Sequence, residues 1–117
     1  MNTLDDARKK AAATYNAASD FYDHPANTFW ERYGRRTIER LPLPQGARVL
    51  DVCCGSGASA LPAAGAVGPD GTVTGVDLAE NLLALARTKA EQQTPAALRA
   101  RRFLFENLLR NQALLCR

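Results

Sequence analysis

Arg48-Val-Leu-Asp-Val-Cys-Cys-Gly-Ser-Gly57 is the stretch that decides the fold of this chain. Its first half is apolar and rich in valine, which is typical of a buried β-strand, and its second half is a run of small residues that favours a tight turn. A second run, Gly71-Thr-Val-Thr-Gly-Val-Asp77, also predicts a strand and ends on an acid. Strand, glycine loop, helix, strand and acid, in that order, indicate a nucleotide-binding βαβ unit.

Each part of this unit can contribute to nucleotide binding. Glycine lacks a Cβ, so a ligand can approach its backbone closely. The helix after the loop directs unpaired N–H groups at the ligand's polar end. The Asp77 carboxylate can accept two hydrogen bonds from a ribose diol. The alternatives are that the glycines only tighten a turn, and that Asp77 is a plain helix N-cap with Glu80 in the helix-start signature.

The flanking sequence predicts α/β architecture within one domain. We expect helices over 3–20, 28–41, 58–67, 78–92 and 96–116, and strands over 48–52 and 72–77. Thr28 and Glu31 fit a capping box at the start of the second helix. The last helix is predicted from apolar residues that recur at helical spacing after Pro95, namely Leu104, Phe105, Leu108, Leu109, Leu115 and Cys116. No third strand is visible. The expected parts are N-terminal helices over 1–45, a cofactor-binding unit over 46–93 and an atypical helical tail over 94–117.

Composition narrows the class of protein. The chain has 117 residues, a net charge of +3 and a pI near 9.0, which does not indicate a polybasic nucleic-acid binder. Neither a membrane span nor a signal peptide is evident, and three cysteines do not make a disulfide framework, so we expect a reduced, cytoplasmic protein. Adjacent Cys53 and Cys54 lack the usual metal-binding spacing and His24 is the only histidine, so no metal site is expected.

The same residues resemble a known family. Val49-Leu-Asp-Val-Cys-Cys-Gly-Ser-Gly57 is similar to the first motif of class I S-adenosylmethionine-dependent methyltransferases, and Gly75-Val-Asp-Leu-Ala-Glu-Asn-Leu-Leu83 to their second. Tyr22-Asp-His-Pro and the stretch 29–36 resemble the N-terminal helices of small-molecule members, the group that includes ubiquinone and menaquinone methyltransferases. The resemblance implies a Rossmann-like core, S-adenosylmethionine as cofactor and a small-molecule methyl acceptor.

The resemblance also implies roles for individual residues. Asp51 would orient the methionine end of the cofactor, Asp77 would bind the ribose hydroxyls and Leu78 would lie against the adenine. The loop beneath the cofactor would consist of Cys53, Cys54, Gly55, Ser56 and Gly57. Cys53 stands where the family most often has its first glycine, which places a side chain beside the ligand. No residue is assigned as a catalytic base.

The family's third strand, which ends in an acid near the adenine, and its fourth strand, which carries a loop facing the substrate, are not readable after Gln93. We therefore expect a truncated or frame-shifted methyltransferase, or alternatively a non-catalytic nucleotide-binding module. A dinucleotide oxidoreductase is a third class, against which the strand-end acid Asp51 argues. An unpaired outer edge on the strand 72–77 predicts a homodimer. The aromatic residues Phe29, Trp30 and Tyr33 are expected in the core.

Overall fold

The computed structural model of the chain describes residues 3–93 and 103–110. The described elements, in chain order, are α1 (Thr3–Tyr22), α2 (Phe29–Glu39), β1 (Arg48–Val52), α3 (Ala60–Val67), β2 (Thr72–Asp77), α4 (Glu80–Gln93) and β3 (Phe103–Asn107). The first four predicted helices and both predicted strands are present, with ends that differ by up to two residues. None of the helices in the described ranges is long and apolar enough to cross a membrane.

The three strands form one parallel sheet in the order β1-β2-β3. Asp51 of β1 is level with Gly75 of β2, which in turn is level with Phe105 of β3. Helices α3 and α4 connect successive strands, as parallel pairing requires. All three carboxyl ends therefore lie at one edge of the sheet, which is where ligands bind in open α/β folds.

Small side chains build the core between the sheet and helices α3 and α4. In α3 the buried residues fall at i, i+3, i+4 and i+7, a helical stripe of Ala60, Ala63, Ala64 and Val67. In α4, Leu83, Ala86 and Ala90 join the same cluster, together with Val73 of β2 and Phe105 of β3. Alanines bury little area each, but they let the helices approach the sheet closely, so the core is thin and dense.

The predicted C-terminal helix is wrong where the structure describes it, because residues 103–107 form strand β3, parallel to β2. The expectation that no third strand exists fails with it, and β2 is central rather than unpaired on its outer edge. Exposure alternates along β3 as expected for a strand, since Phe105 is 7% exposed and Leu104 is 51% exposed. The rest of the predicted helix, 96–102 and 111–116, lies outside the described residues.

The two N-terminal helices lie against the βα units rather than apart from them. Helix α1 packs on α4 and α2 packs on α3. The Asn16 side-chain oxygen accepts the Asn81 N–H (2.9 Å), which satisfies one of the free amides at the start of α4. The expected capping box is not formed, because the Thr28 side chain makes no capping hydrogen bond.

Candidate functional site

The loop between β1 and α3 has an unusual backbone. Cys53, Gly55 and Gly57 all have positive φ, at 60°, 54° and 91° respectively. Two backbone hydrogen bonds hold this path: the Cys54 N–H donates to Val76 O (3.0 Å) and the Gly57 N–H donates to Cys54 O (3.0 Å). Positive φ is readily adopted by glycine, so two of the three positions are unstrained and Cys53 is the exception.

Asp77 braces this loop from the end of β2. Its Oδ2 accepts the Gly55 N–H (2.9 Å), and its Oδ1 accepts the Ala79 N–H (2.9 Å) just before α4. The Asp77 carboxylate therefore caps the start of α4, and it also fixes the loop between β1 and α3. Because an ionised carboxylate has about four acceptor positions, lone pairs remain for the hydroxyl groups of a ligand.

Asp51, in β1, has an incomplete set of hydrogen bonds. Burial raises the pKa of its carboxyl group, and the negative charge of Asp77 raises it further, while a hydrogen bond from the Ala60 backbone opposes the rise. Its Oδ2 is the one buried side-chain oxygen or nitrogen in the described ranges that has no partner. A buried oxygen without a partner costs free energy, so this position suits a ligand that brings a hydrogen-bond donor, above all a cationic one.

Two adjoining cavities form a trough at the carboxyl ends of β1 and β2. The cavity beside Asp51 has a volume of about 270 Å³ and the cavity beside Asp77 about 370 Å³. Both are lined by Tyr22, Trp30, Cys53 and Gly55. The trough therefore has one carboxylate in each of its two cavities, Asp51 in the smaller and Asp77 in the larger.

Most of the predicted site residues line this trough. Asp51, Cys53, Cys54, Gly55 and Ser56 border the smaller cavity, and Cys53, Gly55, Asp77 and Leu78 border the larger one. Gly57 instead borders a separate cavity of about 180 Å³, with Glu31 and Arg35. The Ser56 side chain is 2% exposed, and its hydroxyl donates to Asp23 Oδ1 (3.1 Å). Ser56 is thus linked to the N-terminal segment.

The two loop cysteines differ in environment. Cys54 is buried in the core cluster, and burial, followed by the charges of Asp51 and Asp77, raises the pKa of its thiol to about 12. A thiol with that pKa stays protonated at neutral pH and is a poor nucleophile or metal ligand. Cys53 is exposed and lies on the trough. The described parts of the chain contain no group of three or more residues that could hold a metal ion.

An aromatic wall, made of Tyr22 and Trp30, closes one side of the trough. The two rings are stacked, with centroids 5.4 Å apart and planes 7° apart. Burial raises the pKa of Tyr22, with further contributions from Tyr15 and Asp77. The expectation of a core role for the aromatic set is wrong, because Phe29 is 39%, Trp30 41% and Tyr33 63% exposed.

Some trough residues were not predicted. Tyr15 and Ala11 of α1 and Leu82 of α4 line the larger cavity, and Trp30 lines both. The sequence carried a signal for Tyr22 and Trp30 only, through the resemblance of their surroundings to N-terminal helices of small-molecule methyltransferases. Tyr15 had no such signal, because an apolar residue on a helix does not show which neighbour its face meets.

The parallel sheet, the glycine loop and the acid at the end of β2 define a nucleotide-binding α/β protein. A sequence model of a methyltransferase domain matches residues 49–112, which include both motifs and β3. The chain belongs to the class I S-adenosylmethionine-dependent methyltransferase family. The resemblance read from the sequence is thereby confirmed.

Individual relatives agree with this assignment. The chain is 35% identical to aklanonic acid methyltransferase DauC of Streptomyces sp. strain C5, over 74% of the chain and 39% of DauC. It is 34% identical to a demethylmenaquinone methyltransferase of Bacillus mycoides, over 74% of the chain and 35% of that enzyme. A Thermotoga maritima S-adenosylmethionine-dependent O-methyltransferase of known structure superimposes with a TM-score of 0.54 at 25% identity, over 64% of this chain and 27% of that one. The matched regions thus span well under half of each relative.

Proposed function

We propose that this chain binds S-adenosylmethionine in the trough, and that the protein transfers the cofactor's methyl group to a small molecule. The observation that carries the proposal is the buried Asp51 Oδ2, which has no partner in the described structure and belongs to a residue that lines the smaller cavity. The methionine end of the cofactor carries an ammonium group, whose donors match this acceptor and whose charge would offset the buried carboxylate.

The rest of the cofactor fits the order of groups along the trough. With its amino-acid end at Asp51, the ribose lies towards Asp77 and the adenine towards Leu78 in the larger cavity. The loop of Cys53, Cys54, Gly55, Ser56 and Gly57 lies beneath it. In this arrangement the exposed thiol of Cys53 is beside the ligand, since Cys53 borders both cavities.

The bound cofactor supplies an electrophilic methyl group for an acceptor nucleophile. The residues of this chain position the cofactor: Asp51 holds its methionine end, Asp77 holds its ribose, and the aromatic wall covers it. Phe29 and Tyr33 extend the aromatic surface beyond the wall, which suits an apolar acceptor. The relatives named for aklanonic acid and demethylmenaquinone support an acceptor of that kind.

We also propose that residues 1–117 are part of one methyltransferase domain, and that the protein is cytoplasmic and forms a homodimer. The exposed free thiol of Cys53 suits a reducing compartment. The homodimer is supported by apolar side chains that point outward from the two edge strands: Leu50 is 64% exposed, Val52 60% and Leu104 51%. Parallel sheets are normally covered on both faces.

The test is titration calorimetry of the chain with S-adenosylhomocysteine, the cofactor's demethylated product, and with NAD. We expect binding of S-adenosylhomocysteine and none of NAD. Asp51→Asn, which keeps the shape of the side chain but removes its charge, should weaken binding about 10- to 100-fold, as for the loss of one charge-assisted hydrogen bond. The matched control is Asp70→Asn in the exposed turn before β2. Preference for NAD, or equal affinity of the Asp51→Asn variant, would refute the proposed site.

A further inference from the structure

A single lysine joins the N-terminal helices to the glycine loop. Lys89 lies in α4 and its side chain is only 15% exposed. Its Nζ donates to Asp23 Oδ1 (3.0 Å), Glu31 Oε1 (3.4 Å) and Ser56 Oγ (3.4 Å). We propose that Lys89 is a positioning residue for the cofactor trough, acting through these three contacts.

The hydrogen bonds of the Lys89 ammonium group are all made within the protein. An ammonium group has three donors, and each has an acceptor here. Ser56 accepts from Lys89 and donates its own proton to Asp23 (3.1 Å), so the loop and the segment after α1 are linked twice. Because Lys89 is mostly shielded from water and Asp23 is 30% exposed, this ion pair is screened less than one at the open surface.

Each partner of Lys89 is next in sequence to a residue that lines the trough. Asp23 follows Tyr22, and Glu31 follows Trp30, so each carboxylate belongs to a residue directly after one of the two stacked aromatic residues of the wall. Ser56 follows Gly55, whose N–H is held by Asp77. Lys89 itself lines neither cavity of the trough. It therefore controls the distance between the wall and the loop without touching the cofactor.

Removal of the ammonium charge has a defined consequence. Asp23 and Glu31 would then be two carboxylates without the cation between them, and their repulsion would push the segments that carry Tyr22 and Trp30 apart. The wall would loosen, and the trough would hold its ligand less firmly. This second step rests on the proposed function, whereas the loosening of the wall does not.

The experiment uses Trp30, the only tryptophan of the chain, as a fluorescent reporter. Acrylamide quenching is measured on the full chain without ligand, and affinity for S-adenosylhomocysteine is measured by calorimetry. Lys89→Gln should raise the quenching constant of Trp30 and weaken binding about tenfold, as for one broken charge-assisted hydrogen bond. Lys89→Arg, which keeps the charge, should restore both properties. Lys9→Gln, the same change at an exposed position of α1, is the control and should alter neither.

Asp23→Asn is a second variant, at a more exposed position, and should change both readouts in the same direction. Unchanged quenching in Lys89→Gln and Asp23→Asn would overturn the proposal, and so would increased quenching with unaltered affinity. If the wild-type chain binds no S-adenosylhomocysteine, the proposed function fails, and the quenching measurement alone then decides whether Lys89 holds the wall.

Discussion

Cys53 adopts a left-handed backbone conformation although it carries a side chain, with φ at 60°. For an L-residue other than glycine this conformation costs roughly 1–2 kcal/mol, because Cβ approaches the following carbonyl oxygen. The first motif of the family most often has glycine at this position. The thiol is therefore present at the trough at a cost to folding stability.

Replacement of Cys53 by glycine should stabilise the protein. The relief of backbone strain is partly offset by the greater freedom of glycine in the unfolded chain, so we expect a gain of about 1 kcal/mol in the free energy of unfolding. Urea denaturation of Cys53→Gly measures this gain. Cys53→Ala keeps the Cβ and removes only the thiol, so it serves as the control and should gain nothing. Equal stabilities of the two variants would contradict the strain argument.

Asp51 should make stability depend on pH in the opposite sense to a salt-bridged acid. Its folded-state pKa is raised, mainly by burial, so the folded state binds a proton more readily than the unfolded state does. The charged form therefore destabilises the fold above the folded-state pKa, and this penalty disappears as pH falls below the ordinary value of 3.8. Asp51→Asn should accordingly be more stable than wild type at pH 7, although it binds the cofactor more weakly.

Chemical denaturation of both proteins between pH 7 and pH 4 measures this dependence. The amount by which the Asp51→Asn variant exceeds wild type in free energy of unfolding should shrink as pH falls, because wild-type Asp51 then becomes neutral as well. A constant difference across that range would show that the charge of Asp51 is not the cause. Asp70→Asn, in the exposed turn, should follow wild type throughout.

The trough residues that could be predicted lie at the carboxyl end of a strand or in the turn after it. Asp51, Gly55 and Asp77 belong to short motifs in which a strand, a turn and an acid adjoin in sequence. Ser56 was also predicted, but its hydrogen bonds to Asp23 and Lys89 join residues 33 positions apart. No periodic pattern in the sequence encodes a contact of that range, which is why the direction of the Ser56 side chain was not foreseen.

At the scale of elements, β3 is the part that sequence periodicity missed. Leu104 and Phe105 are followed four residues later by Leu108 and Leu109, a spacing that equally suits a helix face, and 103–107 contains no β-branched residue. Tertiary contacts decide the conformation instead. Beyond the ladder with β2, Arg87 donates to Phe105 O (2.9 Å) and the Asn107 amide donates to Glu80 Oε2 (2.9 Å). Both contacts come from α4, a helix that was predicted from the sequence although its packing against residues 103–107 was not.

The packing of α2 on the loop should be sensitive to one methyl group. Gly34 is buried, and a Cβ built there would overlap the Ala58 carbonyl of the loop before α3. Although alanine has the higher helix propensity, Gly34→Ala should lower the free energy of unfolding by about 1–3 kcal/mol, as overpacking does. Gly65→Ala, in α3, meets nothing within 4 Å and should instead stabilise by up to about 1 kcal/mol. The melting temperatures of the two variants should therefore shift in opposite directions. A higher melting temperature for both would mean that α2 can move away from the loop.

At the scale of the whole molecule, the sheet has apolar side chains on the face away from α3 and α4. Leu50 of β1 and Leu104 of β3 are both level with Thr74 of β2, so the two leucines flank it on one face, and both are more than half exposed. β1 is also an edge strand, and in the described structure no strand pairs with its outer side. A sheet with an uncovered apolar face and a free edge tends to associate with another copy.

Self-association should therefore weaken when a charge is placed on this face. We expect sedimentation velocity of the wild-type chain to show a species heavier than the monomer whose share rises with protein concentration. Leu50→Lys should shift that equilibrium towards the monomer, because burial of the face would then require the new charge to lose its hydration. Leu41→Lys adds the same charge at an exposed leucine beyond the end of α2 and should leave the equilibrium unchanged. A wild-type chain that remains monomeric at all concentrations, or equal effects of the two lysines, would mean that the sheet face is not the surface through which the copies meet.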